Sequence, residues 1–215
     1  MDTCTQLNPK AVALMTIDVQ NDFTMPGAPA EVPGTAEAIP KIVQLIQAFR
    51  HAAQPVIHVV RLYLPDGSNA ELCRREAIRA GAQIVQPGSA GAELVEALKP
   101  TRSIRLDAER LLQGHVQQID RQEFIMYKLR WGAFYRTPLE TFLRERQIDS
   151  LVFCGCNFPN CPRMSIYEAS ERDFRIALAT DAVSGLYDQG RRELERIGVF
   201  LHDTIGIIAW LNQSV

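Results

Sequence analysis

Residues 154–165, "CGCNFPNCPRMS", gather three of the chain's five cysteines. A thiol does chemistry as a nucleophile, a metal ligand or half of a disulfide, and spacing helps to separate the three. Cys154 and Cys156 are two apart and Cys161 lies five further on, which is not the paired C-x2-C spacing of a zinc site. His51, His58, His115 and His202 are scattered, without an H-x3-H or D-x-H pair, so no metal is expected. An odd number of cysteines in a long chain, opening on "MDTCTQLNPK" with no basic start and apolar run, points to reduced thiols in the cytoplasm and away from a disulfide.

Cys161 then stands out by its neighbour. Pro162 suits the first position of a helix, which puts Cys161 at or beside the N-cap. There the helix dipole and free backbone N–H groups are expected to stabilise a thiolate and lower the thiol pKa. Cys154 sits in an apolar run and reads as a small buried hydrophobe, as do Cys4 and Cys73.

A nucleophile needs a base, and two charged residues close apolar runs elsewhere. Asp18 follows "AVALMTI" (11–17), and Lys128 ends "FIMYK" (124–128). Each has a plainer reading: an acidic residue at a strand end commonly caps a loop, and a lysine there is commonly a solvated charge. Arg61 follows "PVIHVV" (55–60), where it suits either a substrate carboxylate or a surface salt bridge, and Tyr63 and Trp131 suit either a pocket or packing.

These residues are placed by an alternation of elements. Together with "SLVFCG" (150–155) and "RIALATD" (175–181), the runs above are near-continuously apolar, as strands buried on both faces of a parallel sheet are. Between them lie helical patterns. In 36–50, Ile39, Ile42, Val43, Ile46 and Phe49 share one face. Near 137, Thr137 reads as N-cap, Pro138 as first helical residue and Glu140 as capping-box partner, with Leu139, Phe142 and Leu143 as the buried stripe. The expectation is an α/β/α sandwich with a mainly parallel sheet, formed by one domain over 1–215. Residues 65–91 read as a loop, a short helix and a Gly-rich loop. The polar stretch 101–120 reads as an excursion at a subunit interface or beside the pocket mouth. Ligands of such sheets bind outside the carboxyl ends of the strands, where Asp18, Lys128 and Cys161 all fall. Apolar residues make up 47% of 215, enough for a sizeable core, and a formal net charge of −2 offers no footprint for nucleic acid or an anionic membrane. No apolar stretch reaches the length of a membrane span.

"MTIDVQNDF", "KLRWGAFYRTPLETFLRERQIDSLVFCG", a Cys opening a helix and "IALATDAVSG", in that order, resemble the isochorismatase-like cysteine hydrolases, over about 11–208. The resemblance implies a Rossmann-like hydrolase fold and a C–N hydrolase of small amide, carbamoyl or ureido compounds, working through a thioester without a cofactor. By position it implies Cys161 as nucleophile, Asp18 as general acid/base and Lys128 as electrostatic support. It further implies a cis Cys156–Asn157 bond, with the backbone N–H groups of Asn157 and Cys161 as oxyanion hole, and Phe23 in the substrate pocket beside Trp131, Tyr63 and Arg61. A homodimer or homotetramer is implied as well. Phe158 and Pro159 stand where the family usually has Thr and Asp or Asn, so the pocket wall is expected to differ in shape and polarity there. Other readings are a vinyl-ether hydrolase running on Asp18 and Lys128 without a thiol, or a non-catalytic thiol redox or binding domain.

Overall fold

The computed structural model describes residues 3–213. Its strands are β1 (Val12–Ile17), β2 (Val56–Val60), β3 (Gln117–Asp120), β4 (Glu123–Tyr127), β5 (Ser150–Gly155), β6 (Arg175–Val183) and β7 (Phe200–His202). They form one seven-stranded sheet in the order β3-β4-β2-β1-β5-β6-β7. β3 pairs antiparallel with β4, and every other pairing is parallel. The helices are α1 (Asn21–Thr24), α2 (Thr35–His51), α3 (Leu72–Arg79), α4 (Ala108–Leu112), α5 (Leu139–Glu145), α6 (Cys161–Ser170), α7 (Asp188–Arg196) and α8 (Thr204–Asn212).

Side chains alternate across a strand, so each strand feeds two cores. From β1, Ala13, Met15 and Ile17 join a cluster with Leu139, Phe142 and Leu143 of α5 and Ile166 of α6. Val12 and Leu14 join another with Ile42, Leu45, Ile46 and Phe49 of α2 and Ile207 and Leu211 of α8. The sheet is therefore covered on both faces, which explains why its central strands are continuously apolar. The result is the expected three-layer α/β/α sandwich.

Chain order reverses at β1, which has β2 on one side and β5 on the other. A crevice opens outside the carboxyl ends at such a switch point. The polar residues inside β1, β2 and β4 tie these strands together. Thr16 Oγ1 lies 2.8 Å from His58 Nδ1, His58 Nε2 lies 2.8 Å from Glu123 Oε1, and Arg50 of α2 donates to Glu123 at 2.7 Å. Burial pushes the Glu123 carboxyl up, but the His58 and Arg50 hydrogen bonds hold it below its ordinary value. This crosstie fixes the strands from which Asp18 and Lys128 emerge.

Several local expectations change. The buried stripe of α2 is Ala38, Ile42, Leu45, Ile46 and Phe49, with Ile39 and Val43 only partly buried at its flank. α5 begins one residue later than the Thr-Pro signal predicts: Pro138 is the N-cap, and Thr137 Oγ1 accepts from Leu139 N–H at a long 3.4 Å. No capping box closes, because Glu140 pairs with Arg172 at 3.0 Å. The 101–120 stretch is no excursion. It contributes α4 and the edge strand β3, and its Ile104, Leu106 and Leu111 pack into the cluster that holds Phe23 and Tyr63. Cys4 and Cys73 are exposed, Cys73 on the outer side of the charged helix α3, whereas Cys154 is fully buried as expected.

Candidate active site

Asp18 is the first residue beyond β1 and has a left-handed backbone, φ +53°. Asp tolerates this conformation better than most residues, and the N–H of Asp18 is held by Val59 O at 2.9 Å. Lys128, just beyond β4, is held likewise by Val60 O at 3.0 Å. Cys161 is the first residue of α6, with Pro162 second and Asn160 at the N-cap. Three strand ends thus converge on one buried ammonium. Lys128 Nζ contacts Asp18 Oδ2 at 2.9 Å, Cys161 Sγ at 3.3 Å and Arg130 O at 3.3 Å. An ammonium has three protons to give, and all three are engaged. The other oxygen of Asp18, Oδ1, is buried with no hydrogen-bond partner among the described residues.

The protonation of Cys161 differs from the expectation drawn from its helix. Burial pushes the thiol well above the ordinary cysteine range, the Asp18 carboxylate pushes it further, and Lys128 opposes both without reversing them. Burial beside the Asp18 carboxylate thus favours the thiol over the thiolate at this site. Alkylation of Cys161 by iodoacetamide is therefore expected to be slow at neutral pH and to climb about tenfold per pH unit into the alkaline range. Asp18→Asn removes the upward push and leaves Lys128 facing the sulfur alone, so Cys161 should then react at least about tenfold faster at pH 8. Peptide mass spectrometry separates Cys161 from the exposed Cys4 and Cys73. A Cys161 rate that is flat with pH would contradict the raised thiol.

The turn between β5 and α6 corrects a second expectation. No peptide bond among the described residues is cis, so Cys156–Asn157 is trans. Gly155 makes the turn instead, at φ +114°, and a Cβ there would come within 2.3 Å of Ile17 O. That close approach to β1 requires glycine. Cys156 N–H then bonds Ile17 O and Phe158 N–H bonds Ser184 O, each at 2.8 Å. The N–H groups of Asn157 and Cys161 donate to no acceptor among the described residues.

A cavity of about 20 Å³ lies over Cys161, room for about one water. Phe23, Tyr63, Arg61 and Trp131 all line it, together with Asp18, Cys156 and Asn157. Arg61 is not in a surface salt bridge. It is buried, pairs with Glu71, donates to Lys128 O at 2.6 Å and stacks 4.7 Å from the Tyr63 ring centre. Phe158 and Pro159 do not line the cavity. Phe158 is fully buried in the core on the far side of the turn, against Gly190 and the Tyr187 ring, and Pro159 is exposed beside Gly185. The wall they were expected to reshape is made by Asn157 and Asn160. Among the described residues, no group of His, Cys, Asp or Glu side chains is arranged to hold a metal ion, and no helix is long and apolar enough to cross a membrane.

Residues 12–196 match the family model described as the isochorismatase domain. The chain belongs to the isochorismatase family. An isochorismatase family protein from Desulfovibrio vulgaris has the same fold, with a TM-score of 0.80, 30% identity, and coverage of 94% of this chain and 98% of that one. A ureidoacrylate amidohydrolase from Methylobacterium radiotolerans is 28% identical over 96% of this chain and 78% of its own. A protein of Arabidopsis thaliana named a probable inactive nicotinamidase is 29% identical over 87% of this chain and 89% of its own.

On this member of the family, α6 does more than present Cys161. Ser165 Oγ donates to Cys161 O at 2.7 Å and accepts from Ala133 N–H at 3.1 Å, and Glu168 accepts from Phe134 N–H at 2.8 Å. The glutamate lies so close over Gly132 that a Cβ there would come within 2.2 Å of it. The loop that carries Trp131 is thereby fastened to the helix that carries the thiol. Sequence reasoning missed Arg74, Val32 and Asn160 in the cavity wall, and Glu71 behind it. Arg74 sits in the charged helix "LCRREAIR", where nothing marks one arginine from its neighbours.

Proposed function

We propose that this chain is a cysteine-dependent hydrolase of the C–N bond in small amide, carbamoyl or ureido compounds. One observation carries the reading: a single buried ammonium, Lys128, touches both the Asp18 carboxylate and the Cys161 sulfur. The name of the ureidoacrylate amidohydrolase relative agrees with it.

In this mechanism Asp18 takes the Cys161 proton as Sγ attacks the substrate carbonyl carbon. Its unpartnered Oδ1 is the oxygen with capacity to spare. The N–H groups of Asn157 and Cys161 hold the carbonyl oxygen as it becomes an oxyanion, and a donor of this kind is worth about 10²–10³ in rate. As the C–N bond breaks, Asp18 returns the proton to the departing nitrogen, leaving an acyl thioester on Cys161. Asp18 then removes a proton from water, which attacks the thioester and releases the acid and the thiol. Lys128 pairs with the Asp18 carboxylate and stabilises sulfur as it gains charge. No cofactor takes part. Residues 1–215 act as one domain in this reading, in a cytoplasmic homodimer or homotetramer. The thiols of Cys73, Cys154, Cys156 and Cys161 suit a reducing compartment.

The test is ammonia release from a panel of small primary amides and ureido compounds, with a hydroxylamine quench to capture the thioester as a hydroxamate. Turnover with a Cys161-linked acyl adduct by mass spectrometry is the expected outcome. Turnover without any adduct on Cys161 would rule out the thioester route.

A further inference from the structure

We infer that the ligand of this site carries a carboxylate, read by Arg74 and Arg61; as a statement about substrate it rests on the amidase reading above. The charged side chains that line the cavity are Asp18, Arg61 and Arg74. Asp18 is neutralised by Lys128, and Arg61 by Glu71. The Arg74 side chain, on α3, forms no ion pair or hydrogen bond among the described residues and lies against the Trp131 ring, 5.6 Å from its centre. The site therefore keeps one net positive charge, on Arg74.

A second donor lining the cavity is also unanswered. Arg61 is buried, and its Nε–H has no acceptor although both terminal nitrogens do. Tyr63 gives its hydroxyl proton to Glu71 at 2.8 Å. A buried N–H without a partner is uncommon in folded proteins, and here the donor belongs to a side chain that lines the cavity. A carboxylate oxygen supplies it here, and Arg74 supplies the compensating charge, a pairing for which guanidinium geometry is well suited. Asp18, Cys161 and the free N–H groups handle the amide end, while Arg61 and Arg74 orient the acid end. A molecule short enough to touch both is a small amide or ureido acid. The cavity as it stands holds little more than a water, so such a ligand enters by lifting Arg74 from Trp131.

The test is isothermal titration of the Cys161→Ala protein, which cannot consume the probe, with succinamate and N-carbamoylglycine, each beside its methyl ester. The acids are expected to bind at least about tenfold more tightly than the esters. In a Cys161→Ala/Arg74→Gln protein the gap should shrink below about threefold, and Arg74→Lys, which keeps the charge but not the fork, should restore only part of it. Arg74 is half-buried in a short outer helix, and circular dichroism checks that each variant is folded. Equal affinity for acid and ester, no measurable binding of either acid, or a gap that survives Arg74→Gln would overturn the inference. Ammonia release by the wild-type protein from the same acids reports separately on the amidase reading. Arg74-dependent preference for acids without turnover of any amide supports carboxylate recognition and removes the amidase.

Discussion

Cys161→Ala is expected to lower ammonia release by roughly 10⁴–10⁶-fold, the loss seen when a nucleophile that works with a base is removed. The geometry leaves no substitute. Cys154 is enclosed among β-strand side chains, with its Sγ 3.6 Å from Met15 O. Cys156 lines the cavity, but burial pushes its thiol up to about 12. The fold should tolerate the change, because alanine removes one buried sulfur and leaves the Asp18–Lys128 pair in place. The same variant separates the two enzymatic readings. A vinyl-ether hydrolase running on Asp18 and Lys128 would keep most of its activity, whereas the thioester route would not. An amide turnover within about tenfold of wild type in Cys161→Ala would eliminate the nucleophile assignment.

Lys128→Met should damage stability as well as activity. The lysine side chain is 0% exposed and that of Asp18 4%, so deleting the cation leaves a carboxylate in the interior without its charge partner. Breaking a buried pair from one side costs about 3–5 kcal/mol, which for a domain of this size lowers the melting temperature by roughly 10 °C. The double variant Asp18→Asn/Lys128→Met removes both charges and should recover most of that loss while remaining inactive. Asn is the appropriate partner because it accepts the left-handed φ of position 18 nearly as well as Asp. Urea unfolding of the single and double variants measures the difference. A Lys128→Met loss below about 1 kcal/mol would mean that water screens the pair and that it is not the buried pair described.

Asp18, Lys128 and Cys161 could be picked out from sequence because strand ends in a parallel sheet converge, and because Pro after Cys announces a helix start. What remained hidden depended on the surroundings rather than on the pattern. The Cys161 thiol is raised because it is buried beside Asp18, and neither burial nor that neighbour is written next to it in the chain. Phe158 was expected in the pocket wall because it stands where the family usually has Thr, but its ring packs on the far side of the turn, against Gly190 and Tyr187. β3 and β7 are short, half-exposed edge strands, "QQID" and "FLH", with too little apolar alternation to register. Thr137 carried a sound capping signal, yet Glu140 found a better partner in Arg172. Arg74 matters only through what it lacks, a counter-charge, and that is visible only once every other charge around the cavity has been placed.

The fastening of the Trp131 loop to α6 through Ser165 and Glu168 divides the site's freedom to evolve. Trp131 and the nucleophile belong to one rigid piece, so substitutions that reshape that wall also disturb the aim of the sulfur. The opposite wall, from α3, carries no such tether to Cys161. Drift in substrate range within close relatives should therefore accumulate around Arg74, and libraries meant to change which amide is accepted would do best to vary α3 and leave 131–134 and α6 untouched.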